Sequence, residues 1–221
     1  MKTKHIQAGL CGSILLILQF ATCVLLAGCG GGGNHTPKPK AYLRIDTPEH
    51  RYFVLDTMRY ADSTIRSSDG KPYKTFPFIF EANECIEWGE KDAPKGERWV
   101  DLRYPQWNGV VFLTYKRLSS PDSLRGQVDT SARLLEKHYQ FASGIDEQAY
   151  EDVAHRVYGT VWKLRGSKVA STCQFYATDS VHHFLRGALY INSVPNNDSL
   201  APVLEYMQED ILHLVETLRW R

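Results

Sequence analysis

The chain has 221 residues, 26 Lys and Arg against 25 Asp and Glu, and 43% hydrophobic content. A balance this close to neutral argues against nucleic acid or a polyanionic substrate as partner. The apolar fraction suffices for a packed core, and the length suits one ordinary domain with an appendage.

The first 28 residues read as a signal. Lys2 and Lys4 give a positive start, no acid precedes Asp46, and apolar runs follow at Ile14–Leu18 and Phe20–Ala27. The run ends in Leu26-Ala27-Gly28-Cys29, the lipobox order, with small residues at the cleaved bond and a thiol to carry diacylglycerol. A retained membrane helix is the competing reading, and Gln19 and the glycines speak against it. Cys29 is therefore the expected lipidation site and membrane attachment point. Residues 29–40 form a tether, flexible across Gly30–Gly33 and extended across the prolines Pro37 and Pro39. Glycines rather than acids after Cys29 favour a periplasm-facing envelope protein. Residues 41–221 form one globular domain. Cys85 and Cys173 are its two cysteines, and one disulfide or two buried thiols both remain open.

Lys74–Phe80 predicts an edge strand, because Pro77 cannot donate to a ladder. Glu90–Glu97 predicts a loop, and Arg98–Leu102 and Gly109–Lys116 predict strands. Ser120-Pro121-Asp122 opens a helix with a capping serine and proline at its first position, and Leu124, Val128, Leu135 and Tyr139 fall on one face. Val153–Leu164, Thr172–Thr178 and His182–Ile191 predict three further strands separated by short turns. Asn196–Ser199 starts a closing helix, striped by Leu200, Val203, Leu204, Met207, Ile211, Leu214, Val215 and Leu218. Short turns require antiparallel pairing, so the expected fold is α+β, a mostly antiparallel sheet packed with two main helices.

The run Gln174-Phe175-Tyr176-Ala177-Thr178-Asp179-Ser180, continuing to His183-Phe184-Leu185-Arg186-Gly187-Ala188-Leu189-Tyr190, resembles the signature of the gliding motility lipoprotein GldD family. Pro37–Tyr42, Arg44-Ile45-Asp46, Pro77-Phe78, Phe80-Glu81, Tyr104-Pro105, Lys137-His138, Val157-Tyr158-Gly159, Asp198-Ser199-Leu200, Pro202-Val203 and Trp220 are similar to the family in order. Phe76 and Arg98 stand where the family leads one to expect cysteines, so a disulfide between those positions is impossible here. The resemblance implies a part of the gliding apparatus and its associated type IX protein secretion, partnered by other gliding or secretion envelope proteins and without catalytic activity. The architecture is also similar to the PsbP and Mog1 sandwich, which admits a periplasmic ligand- or glycan-binding module as the alternative.

Asp179, Ser180, His182, His183 and Arg186 are the one cluster that invites an enzyme. Adjacent strand histidines point to opposite faces, and Ser180 lacks a nucleophile elbow, so no triad, metal site or cofactor is expected. Asp179, His183 and Arg186 remain candidates for a partner surface. On a strand from His182 to Ile191, Leu185, Gly187 and Leu189 should meet the core. Arg186 should stand among Phe184 and Tyr190 on the other face, either open to a partner or, if a helix covers that face, paired there as part of the fold. Trp88, Trp99 and Trp107, crowded with Tyr104 in one polar stretch, are a second candidate surface, with packing beneath a loop as the competing account.

Overall fold

The computed structural model describes residues 45–56, 76–193 and 196–221, all within the compact unit Leu43–Arg221. The signal, the lipobox with Cys29, the tether, and Lys74 and Thr75 lie outside the described residues.

The strands are β1 (Tyr52–Leu55), β2 (Phe78–Asn83), β3 (Glu87–Lys91), β4 (Glu97–Tyr104), β5 (Gly109–Arg117), β6 (Gly144–Asp152), β7 (Val157–Arg165), β8 (Cys173–Thr178), β9 (His183–Ile191) and β10 (Arg219–Trp220). The helices are α1 (Pro121–Glu136) and α2 (Asn197–Thr217). A seven-stranded sheet runs β3-β4-β5-β9-β8-β7-β6, and a three-stranded sheet runs β1-β2-β10. Every pairing is antiparallel, as the short turns demand. The fold is thus α+β and dominated by sheet.

Side-chain alternation sorts the large sheet into two faces. On the inner face Val100, Leu102, Val111, Leu113, Phe175, Ala177, Leu185 and Leu189 form one core with Phe78 and Phe80 of β2 and with Val203, Met207, Ile211, Leu214 and Val215 of α2. Each such side chain taken from water contributes about 1.5–3 kcal/mol. On the outer face Leu135 of α1 meets Trp162, Leu164 and Val169 in a smaller cluster. α1 begins as the sequence predicts: Ser120 and Ser123 each bond the other's backbone, with Pro121 at the first helical position.

Several expectations need correction. β2 is not an edge strand, because β1 and β10 flank it. Pro77 stands just before the ladder, where it offers only its carbonyl, to the Arg221 N–H at 2.8 Å. The loop expected over Glu90–Glu97 narrows to residues 92–96, since β3 runs through Lys91 and β4 starts at Glu97. The strand expected over Val153–Leu164 is a hairpin turn, with Arg156 at φ 55, leading into β7, and it is preceded by the unforeseen β6. β6 reads Gly-Ile-Asp-Glu-Gln-Ala-Tyr-Glu-Asp, too polar to show a buried face because it is itself the edge strand. Tyr139 leaves the α1 stripe for a 3-10 turn and is half exposed. Of the two readings left open for Cys85 and Cys173, the structure shows free thiols, Cys173 buried and Cys85 partly exposed.

Candidate functional site

The hairpin joining β8 to β9 carries the signature residues. Asp179 Oδ1 accepts the backbone N–H groups of Val181 (3.0 Å), His182 (2.7 Å) and His183 (2.7 Å), and Ser180 between them takes the left-handed φ of 68°. Thr178 Oγ1 donates to the His183 carbonyl at 2.6 Å and accepts from the Ser180 N–H at 3.0 Å. Burial alone would raise the Asp179 pKa, but the N–H bonds from His183, Val181 and His182 outweigh it and hold the carboxyl below its ordinary value. Asp179 therefore shapes the turn. His182 lies in this turn, outside β9, with Nδ1 3.9 Å from Asp179 Oδ2.

The His183 ring shares a hydrogen bond with the Tyr115 hydroxyl at Nδ1, 2.9 Å, and stacks on Trp220 at 5.2 Å and 8°. Burial first, opposed by the Asp179 charge and assisted by His182 and Arg117, lowers the His183 pKa and keeps the imidazole neutral. Trp220 in turn donates from Nε1 to the Arg156 carbonyl at 3.1 Å. His183 thus ties β5, β9 and β10 together. Ser180, His183 and Asp179 form no triad.

Beside Tyr115 lies a groove of about 580 Å³, lined by Phe76, Pro77, Pro94, Lys95, Arg98, Arg117 and Arg221. Arg221 is held by Asp56 at 2.6 Å, Arg98 reaches Glu90 at 3.6 Å, and Glu97 takes Lys116 at 2.9 Å. Arg117, paired across the ladder with His183, and Lys95 in the β3–β4 turn have no ion pair among the described residues.

Of the two cases for Arg186 the structure shows the covered one: α1 lies across β8 and β9, and the half-buried guanidinium donates to Gln174 Oε1 at 2.6 Å. Burial lowers its pKa, with Tyr190 acting the other way. Phe184 stacks on Tyr176 instead, at 5.5 Å. Gln174 is fully buried, and its Nε2 has no partner. Arg186 thus satisfies one half of a buried amide and belongs to the fold.

The three tryptophans do not share a surface. Trp88 and Trp107 pack against the main core, Trp107 edge-on to Tyr206 at 5.1 Å. Trp99 points to the opposite face of β4 from Val100 and Leu102 and donates to Glu97 at 3.0 Å. Elsewhere on that outer face, Phe112 and Tyr190, with rings 5.7 Å apart, wall a cavity of about 510 Å³. Lys91 stands 5.0 Å over Phe112 and pairs with Asp101, which also takes Arg103.

The most connected polar group escaped sequence reasoning. Asp210 on α2 accepts from Tyr104 (2.8 Å), Asn83 (3.0 Å) and Tyr52 (3.1 Å) and pairs with His50 Nδ1 at 2.8 Å. Asn83 also donates to the Tyr206 hydroxyl at 2.7 Å, and His50 stacks on Tyr206 at 4.0 Å. Burial first and the Asp210 charge second raise the Tyr52 and Tyr104 pKa values, while burial lifts Tyr206 to about 12. The one sequence signal was an acid set within the stripe of Met207, Ile211 and Leu214. The hub fastens residues 50–52 and β2 to α2, and its phenols stay protonated as donors.

Among the described residues no group of three or more His, Cys, Asp or Glu is placed to hold a metal ion. No helix among them is long and apolar enough to cross a membrane. No curated protein and no solved structure matches the chain, which leaves the PsbP and Mog1 likeness an analogy of architecture. Residues 32–220 match the family described as gliding motility lipoprotein GldD, a span that takes in residues 32–40 of the tether, the signature hairpin, the Asp210 hub and Trp220. The chain belongs to the gliding motility lipoprotein GldD family.

Proposed function

We propose that the protein is a non-enzymatic component of the gliding motility and type IX protein secretion apparatus, anchored by lipid on Cys29 and facing the periplasm. It supports assembly or function of the machinery by holding other envelope proteins. The observation that carries this reading is the use made of the signature hairpin. Its acid and its neutral histidine hold backbone and ring partners of the fold, and beside them lies a solvent-open groove. Family membership supplies the gliding context.

The test is genetic and chemical. Deleting the gene should abolish surface movement and export of adhesins, and the wild-type copy should restore both. Cys29→Ala should leave an unprocessed or mislocalised precursor that takes up no clickable fatty acid, since firm anchoring needs more than one acyl chain. Deletion cells that glide and secrete normally would sink the reading.

The Phe112–Tyr190 cavity supports a second reading, a ligand- or glycan-binding module, because an aromatic wall beside a few placed polar groups is the usual make-up of a small-molecule site. A rise in melting temperature with cell-wall fragments or polysaccharide, lost in Phe112→Ala, would favour it.

A further inference from the structure

We infer that the groove beside Tyr115 is a docking site for an acidic, extended segment of a partner protein, with Arg117 and Lys95 taking its carboxylates. The inference rests on the reading above that the protein works by holding other envelope proteins, and it names the chemistry of the contact.

The charges around the groove do not balance. Asp56 answers Arg221, Glu90 answers Arg98, and the one acid in the lining, Glu97, is taken by Lys116. Arg117 and Lys95 line the same groove, are exposed, and find no acid among the described residues. The chain is nearly neutral as a whole, so this local excess is offset elsewhere, in part by the acids of the β6 edge, Asp146, Glu147, Glu151 and Asp152. Residues 57–75, which join Asp56 to Phe76 at the groove, carry Arg59, Arg66, Lys71 and Lys74 against Asp62 and Asp69. That segment is itself net basic.

The donor set favours carboxylates over phosphate. Arg117 offers a planar fork that accepts a carboxylate through two parallel bonds, and Lys95 offers a point charge for a second. Phosphate sites commonly recruit a helix N-terminus, and no residue lining this groove comes from a helix. The Tyr115 hydroxyl, the one phenol in the lining, is already committed to His183.

The groove and the Asp210 hub lie at opposite ends of one ladder: His50 meets Asp210 beside Tyr104 at one end of β4–β5, and the groove opens at the Arg98–Tyr115 end, six residues and roughly 20 Å away.

The test uses the mature chain, residues 29–221, carrying Cys29→Ser, with a ten-residue oligoglutamate peptide as probe. Oligoglutamate should bind, more weakly as salt rises, and Lys95→Gln with Arg117→Gln should loosen it by about tenfold with no change in melting temperature. Lys168→Gln, at the distant β7–β8 turn, should leave binding unchanged. No binding of oligoglutamate, or binding indifferent to the double substitution, overturns the proposal. So does Arg117-dependent binding of inorganic phosphate or phosphatidylglycerol vesicles in place of oligoglutamate. In cells the double variant should fail to restore secretion to the deletion strain. Full restoration overturns the groove's part alone, whereas a deletion without phenotype overturns the wider reading.

Discussion

The Phe175 ring occupies the space that a side chain on Gly187 would need. A Cβ built at Gly187 runs into that ring, directly across the β8–β9 ladder. The glycine in the signature strand is therefore a packing requirement of the core, where Phe175 is fully buried.

Gly187→Ala should destabilise the domain by about 1–3 kcal/mol, the usual cost of overfilling a packed core. Phe175→Leu made in the Gly187→Ala background should recover part of that loss, because it withdraws the ring. Thermal melts of the two single variants and the double decide it. Strictly additive losses would show that the two positions do not compete for space.

Asp210 should be far more expensive to remove than any one of its partners. Asp210→Ala strands the donors of Asn83, Tyr104 and Tyr52 and the His50 ring, so a loss of about 3–5 kcal/mol is expected. Tyr104→Phe removes a single bond and should cost about 0.5–1.5 kcal/mol. Urea titration measures both. A loss below that of Tyr104→Phe would deny Asp210 its place as the hub.

Stability should fall in two steps on acidification. His183 and His138 have lowered pKa values in the fold, in both cases chiefly through burial. Below the ordinary histidine value of about 6.5 the unfolded chain thus binds protons that the folded one refuses, and stability drops as pH falls through that region. Asp179 is shifted downward, so its contribution is intact above the ordinary carboxylate value of about 3.9 and is lost as pH falls through its folded value. Melts of wild type and His183→Gln between neutral and mildly acidic pH should show a smaller fall in the variant. An equal fall would assign the first step to other groups.

The thiols of Cys85 and Cys173 should behave independently. Cys173 is fully buried, which pushes its pKa up to about 12, while Cys85 is partly exposed with Sγ 3.9 Å from the Tyr206 hydroxyl. A reducing agent should leave the melting temperature unchanged. A maleimide should spare Cys173 in the native protein and label both thiols in urea. A melt lowered by reductant in the wild type, yet indifferent to it in a double serine variant, would reveal a bridge.

What could be read beforehand followed local rules. The α2 stripe, the Ser120 cap and the two faces of β9 rest on periodicity and capping, which act over a few residues. β1 and β10 are too short to carry a pattern and exist because β2 lies between them. β6 hid behind its own polarity. The Asp179 turn was visible as a motif but not as three backbone bonds. Arg186 was placed on the correct face, though not its cover, since nothing in the strand records that α1 crosses there. The Asp210 hub and the groove join residues from distant parts of the chain, and only the folded sheet brings them together.

β2 finds its first neighbour, β1, before it in the chain, but its second, β10, follows both helices and all of the large sheet. The same two-residue strand delivers Trp220 to His183, and the residue after it reaches back to Asp56 and Pro77. Closure of the small sheet is therefore a late event, set by the longest loops the domain has to close. A polypeptide that crosses a membrane N-terminus first completes its small sheet only once β10 has crossed.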